Sequence, residues 1–320
     1  MLKNLANTCY KSIYNNRPEA RRKPGTTIFC LIFIMLASCE KLKHIIKEDS
    51  MPELKESTKI KSGYAAINGL RMYYEIHGQG RVLVLIHGGG STIETSFGRI
   101  IPELAKHRQI IAVELQAHGH TGVRDAPESF ERDADDVAAL MKFLSIDKAD
   151  VFGFSNGGNT TMQMAIRHPG LVRKIILGSA FYKRDGMYPQ FWDEISKASL
   201  SDMPAALQTA YKKVAPDTNG LLRMFTKDKN RMVEFKDWKE ENLHAIKIPA
   251  LIISSDQDVV KPEHAVEMHR LISHSQLIIL PGLHGEYIGE ITTLPEGALQ
   301  AKLIVPLLEK FLDQGISPDL

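Results

Sequence analysis

From Tyr64 onward the chain passes repeatedly between two kinds of apolar pattern. "YAAING" and "RMYYEIH" read as two strands joined by a turn at Asn68-Gly69, a pair suited to a tight hairpin. "RVLVLIH" (81–87) is an unbroken apolar run, as expected of a strand buried on both faces. "FGRIIPELAKH" then predicts a helix, and "QIIAVEL" (109–115) a strand. "DADDVAALMKFLSI" places Val137, Leu140, Met141 and Leu144 at helical spacing. "ADVFGF" predicts a strand, "NGGNTTMQMAIRHP" a helix ending near Pro169, and "VRKIILGSA" the next strand.

The rhythm breaks over residues 181–248, where short helical patterns are separated by Pro189, Pro204, Pro216 and Gly220. It resumes with the strand "PALIIS", a helix from Pro262, the strand "SQLIIL" and a last helix over 297–314. Alternating strands and helices predict an α/β fold, a mostly parallel central sheet with helices on both faces. The predicted organisation is an α/β core over 61–180 and 249–320 interrupted by a helical cap insertion at 181–248.

Charge and cysteine usage change the picture mainly at the start of the chain. Residues 1–39 hold six Lys/Arg and one acid, a net +5, so against the whole-chain +2 the remainder is −3 and mildly acidic. No basic stripe follows, which excludes nucleic acid as an expected partner. All three cysteines (Cys9, Cys30, Cys39) also lie in this leader, so the body has neither a thiol nucleophile nor a cysteine metal site. Arg21-Arg22-Lys23 precedes the short apolar run Ile28–Ala37, too short to span a bilayer and ordered like a secretory signal. "LASC" (36–39) resembles a bacterial lipobox. That resemblance implies a signal peptide over 1–39, a lipid on Cys39, a tether over 40–60, and a lipid-anchored protein of the bacterial cell envelope.

The candidate chemistry begins at "GFSNGG" (153–158), where Ser155 occupies a G-x-S-x-G frame. Three fixed positions carry little weight alone, but Ser155 follows a buried-type strand and opens a helix, the setting of a nucleophile elbow. Gly153 and Gly157 suit a tight turn on which flanking side chains would clash. "HGGG" (87–90) ends the strand before it and offers bare backbone amides. Gly89 (or, second, Gly90) and Asn156 are the expected oxyanion donors. Asp258 and His284 each follow a later strand, where open α/β sheets place their chemistry, and the order Ser155, Asp258, His284 is that of the hydrolase triad. Asp256 and Glu286 are rival acids.

With these motifs the chain resembles the α/β-hydrolase fold superfamily over residues 60–315, and more narrowly its capped esterase, lactonase and C–C hydrolase branch. Two departures stand out: Ser255 occupies a position where glycine is common, and "ELQAHGHT" (114–121) replaces the usual D-x-R-G-x-G-x-S loop. The resemblance implies a serine hydrolase acting on a small ester or lactone, needing no cofactor. Alternatives on the same triad are a C–C hydrolase, an amidase or peptidase, and a cofactor-free perhydrolase; a ligand-binding lipoprotein without catalysis is the alternative of another class. His118 and His120 are expected to be structural or substrate-contacting rather than a metal pair. His87 is expected to brace, and His264, His269 and His274 to be solvated. Most aromatic residues of the insertion are expected to pack the cap, with a few shaping an apolar pocket.

Overall fold

Side chains that alternate along each strand decide which layer covers which face. The computed structural model describes residues 60–215, 217, 219–293 and 300–315. The expected signal peptide with Cys39 and the expected tether up to residue 59 lie outside the described residues. Strands β1 (Lys61–Ile67) and β2 (Leu70–His77) form the expected hairpin, turned by Asn68 (φ 45°) and Gly69 (φ 77°). Both central residues are left-handed, as a turn matching the twist of a two-residue hairpin requires.

Six further strands follow: β3 (Arg81–Ile86), β4 (Arg108–Val113), β5 (Ala149–Phe154), β6 (Val172–Gly178), β7 (Ala250–Gln257) and β8 (Ser275–Leu283). They build one eight-stranded sheet in the order β1-β2-β4-β3-β5-β6-β7-β8. Only the β1–β2 and β2–β4 pairings are antiparallel. The fold is therefore the mostly parallel α/β sheet predicted from the pattern. Val84, Ile86, Ile111, Val151, Ile175 and Ile252 point to one face. Leu83, Leu85, Ile110, Phe152, Ile176 and Leu251 point to the other. Helices α3 (Phe130–Phe143), α4 (Asn156–Arg167) and α9 (Pro262–Leu271) cover the first face. The second is covered by α1 (Ile93–Phe97), α2 (Ile101–Leu104) and α10 (Gln300–Asp313).

Two elements differ from expectation, each for a local reason. The single helix predicted over "FGRIIPELAKH" is two short ones, α1 starting earlier and α2 carrying Pro102 in its first turn. Proline fits there because its missing N–H would be unpaired in that turn anyway, but it could not continue a helix begun at Phe97. Strand β8 runs on through Pro281-Gly282 to Leu283. It is an edge strand, where a missing amide costs no ladder bond.

Between β6 and β7 the described residues form helices and no strand: α5 (Pro189–Lys197), α6 (Ala205–Val214), α7 (Gly220–Val233) and α8 (Glu240–His244). Phe181, Trp192, Phe235 and Trp238 meet Phe130 of α3 in an aromatic cluster with largely edge-to-face contacts, attaching this insertion to the core. No helix among the described residues is long and apolar enough to cross a membrane.

Candidate active site

The sheet order reverses direction at β3, which lies between β4 and β5. The chain winds outward on one side of this point and then on the other, leaving a crevice at the strand C-termini. The HGGG loop ends β3 and Ser155 ends β5, so both glycine-rich stretches open onto this crevice. Ser155 itself is left-handed, at φ 55° and ψ −122°, a strained geometry for a non-glycine residue. The flanking glycines make that turn possible. A β-carbon on Gly153 would stand 1.9 Å from the Gly157 carbonyl oxygen, and one on Gly157 would stand 2.0 Å from that of Ile86.

Three predicted residues meet at the turn. His284 Nε2 is 3.1 Å from Ser155 Oγ, and its Nδ1 is 2.6 Å from Asp258 Oδ1. The carboxylate of Asp258 is buried and otherwise fully engaged. It accepts from Ser179 Oγ at 2.6 Å and from the amides of Ser255 and Val260 at 3.3 and 3.2 Å. Burial opposes its charge, but His284 and these donors hold its pKa below the usual range. Burial likewise opposes charge on His284, yet Asp258 outweighs it and raises the imidazole pKa above 6.5. The rival acids are occupied elsewhere: Asp256 is exposed and accepts from the Gly282 amide, and Glu286 accepts from Leu283 and Gln300. Ser255, in the place of the common glycine, joins the site through its backbone amide.

Of the amides proposed from sequence, Gly90's is already committed: it donates to Asp228 Oδ2 at 2.6 Å. The Gly89 and Asn156 amides donate to no protein acceptor among the described residues, and both residues line the cavity beside Ser155. His87 braces this loop as expected. Its Nδ1 donates to the Gly88 carbonyl at 2.7 Å while Nε2 accepts the Leu115 amide at 3.0 Å, a neutral tautomer consistent with burial pushing its pKa down to about 3.

The unusual loop 114–121 is braced in its own way. Buried Glu114 accepts from the backbone amide of His120 at 2.6 Å and pairs with its Nδ1 at 2.9 Å. His118 turns the other way, with Nδ1 donating to the Gln116 carbonyl at 2.8 Å and Nε2 donating to Asp228 Oδ2 at 2.9 Å. Both ring nitrogens face acceptors, as an imidazolium requires. Burial opposes that charge, but Asp228 prevails and lifts the pKa to about 9. Asp228 and Arg231 of α7 pair with each other, and Arg231 reaches Asp133 of α3 at 2.5 Å.

Sequence reasoning missed Asp228, Arg231 and Ser179. The first two stand one helical turn apart on a cap helix, with no motif to mark them; Ser179 carried only its place just past a strand end. His264, expected to be solvated, is not. It is buried, stacked on Tyr182, and accepts that residue's amide at 3.2 Å, because the start of the insertion folds down over α9.

Above Ser155 lies a cavity of about 310 Å³ whose walls are mainly apolar, among them Phe181, Phe191, Met203, Leu207, Phe225 and Met232. Of the insertion's aromatic residues, Phe181, Phe191 and Phe225 thus face the cleft, while Trp192 and Trp238 pack in the cluster against Phe130.

Residues 81–229 match the family model of the alpha/beta hydrolase fold. The chain is 31% identical to AB hydrolase superfamily protein YisY of Bacillus subtilis, over 65% of this chain and 85% of that protein. It is 29% identical to human Serine hydrolase BPHL, over 76% of this chain and 88% of BPHL. Among solved structures, the enol-lactonase from Burkholderia xenovorans LB400 shares the fold at a TM-score of 0.61 and 22% identity, covering 78% of this chain and all of that one. With the elbow and sheet order described above, these likenesses establish that the chain belongs to the α/β-hydrolase fold superfamily and is a hydrolase.

Proposed function

We propose that the protein is a serine hydrolase that cleaves a small carboxylic ester or lactone through an acyl-enzyme. The hydrogen-bonded run from Ser155 Oγ through His284 to Asp258 carries this reading. Ser155 Oγ attacks the acyl carbonyl as His284 Nε2 takes its proton. Asp258 holds the imidazole with Nε2 free to accept and stabilises the cation that forms. The Gly89 and Asn156 amides receive the negative charge that develops on the carbonyl oxygen. Collapse of the tetrahedral intermediate expels the alkoxide, which leaves with the proton held on His284. Water, deprotonated by the same imidazole, then attacks the acyl-enzyme and releases the acid, restoring Ser155.

The apolar walls of the cavity support an acyl chain or ring of modest size as the buried portion of the substrate. Ser155→Ala and His284→Ala are each expected to lower kcat on an aryl ester by roughly 10⁴-fold or more, and the double variant to be little worse than either. A folded Ser155→Ala protein with normal turnover would refute the reading. A panel of aryl esters, lactones and vinylogous diketones identifies the bond, and preference for the diketones would favour C–C cleavage. The order of basic, apolar and "LASC" segments supports export and lipidation at Cys39. Metabolic palmitate labelling lost in Cys39→Ala is the expected outcome, and an unlabelled full-length cytosolic protein is the contrary one.

A further inference from the structure

The oxyanion loop is tied to the cap by one bond that serine hydrolysis as such does not require. Gly90 is left-handed, at φ 66°, and its amide donates to no backbone carbonyl among the described residues. That amide meets Asp228 Oδ2 at 2.6 Å, across 138 residues of chain. His87 holds the Gly88 carbonyl at 2.7 Å, while the loop's other amide bonds are longer, Gly88 N–H to Ser96 Oγ at 3.3 Å and Ser91 N–H to the Gly88 carbonyl at 3.4 Å. A short bond to a charged acceptor outweighs such contacts.

Asp228 is itself fixed from the core on two sides. His118 Nε2 lies 2.9 Å from the same oxygen, in the loop after β4. Arg231 holds the other oxygen and is anchored by Asp133 at 2.5 Å, on α3. The chain at Gly89 is pinched between this carboxylate and the neighbouring helix: a β-carbon there would stand 3.3 Å from Asp228 Oδ2 and 2.4 Å from Asn156 Nδ2. A lone carboxylate so close to a developing oxyanion would repel it. The His118 and Arg231 cations offset that charge, so Asp228 directs the loop without opposing the reaction.

We propose that Asp228 is a positioning residue of the hydrolytic site. By holding the Gly90 amide it sets the turn of the HGGG loop that presents the Gly89 amide to the carbonyl attacked by Ser155. The assignment rests on the serine-hydrolase reading above.

Kinetics of Asp228→Ala and Asp228→Asn on an aryl ester test it, together with inhibition by an aliphatic trifluoromethyl ketone, whose adduct with Ser155 carries the oxyanion. Asp228→Ala is expected to lower kcat by about 10- to 100-fold with KM changed by less than about threefold, since the loss falls on the transition state. The ketone's affinity should fall in parallel with kcat/KM. Asp228→Asn keeps the shape and one acceptor, and its losses should be smaller in both measurements. If circular dichroism shows Asp228→Ala unfolded, the asparagine variant decides alone by the same pair of readouts. Unchanged kcat and ketone affinity, or a loss confined to KM, overturns the proposal. Ser155-dependent turnover that ignores Asp228 refutes this positioning role only; turnover that ignores Ser155 refutes the hydrolase reading beneath it.

Discussion

In the proposed mechanism His284 sets the pH at which the site works. Only its neutral form accepts the serine proton, and Asp258 raises its pKa above 6.5 against the pull of burial. We therefore expect kcat/KM to rise with pH through a single ionisation above that value and to flatten once the imidazole is neutral. Asp258→Asn removes the charge responsible. Its ionisation should move to lower pH, and turnover should drop on the order of 10⁴-fold as the tautomer is lost. A wild-type profile flat from pH 5 to pH 9 would remove His284 from the role of base. These residues were legible because each is tied to a pattern: Ser155 to glycines and a strand–helix junction, Asp258 and His284 to strand ends. Asp228, Arg231 and Ser179 were not, because what they do depends on a contact between elements distant in sequence, which no local pattern records.

The element that carries Ser155, the proposed nucleophile, is the junction of β5 and α4. Its glycines answer to close approach of backbone, since a β-carbon on Gly157 would overlap the Ile86 carbonyl oxygen at 2.0 Å. The atom in the way belongs to a central strand and cannot swing aside. Gly157→Ala is therefore expected to destabilise the protein by more than about 3 kcal/mol, measured by urea unfolding. A stable, active Gly157→Ala protein would mean that the turn is looser than drawn. Strand and helix order were readable for the complementary reason: Val84 and Leu85 obey a period that local geometry enforces on any sheet. The breakpoint at Pro102 and the extension of β8 through Pro281 were misjudged because their placement depends on which neighbours the chain finds.

Across the whole molecule, the buried charges join the insertion to both the β4 loop and α3. His118 has a folded-state pKa of about 9 against an ordinary 6.5. Between those values the folded protein holds a proton that the unfolded chain does not. Its contribution to stability is thus complete below about pH 6.5 and is lost as pH rises through 9. The difference in melting temperature between wild type and His118→Gln should shrink over that interval; a difference independent of pH would show that the ring acts by packing alone. The same cluster restricts how this enzyme can acquire new substrates. The helix that shapes the pocket wall also supplies the acid for Gly90, so the insertion is not an interchangeable part. A transplanted cap without an aspartate at that spot would strand the Gly90 amide and leave His118 buried without its counter-charge. Drift in specificity is therefore channelled into side chains such as Phe191 and Phe225 that face the cavity while the Asp228 turn of the helix stays in place.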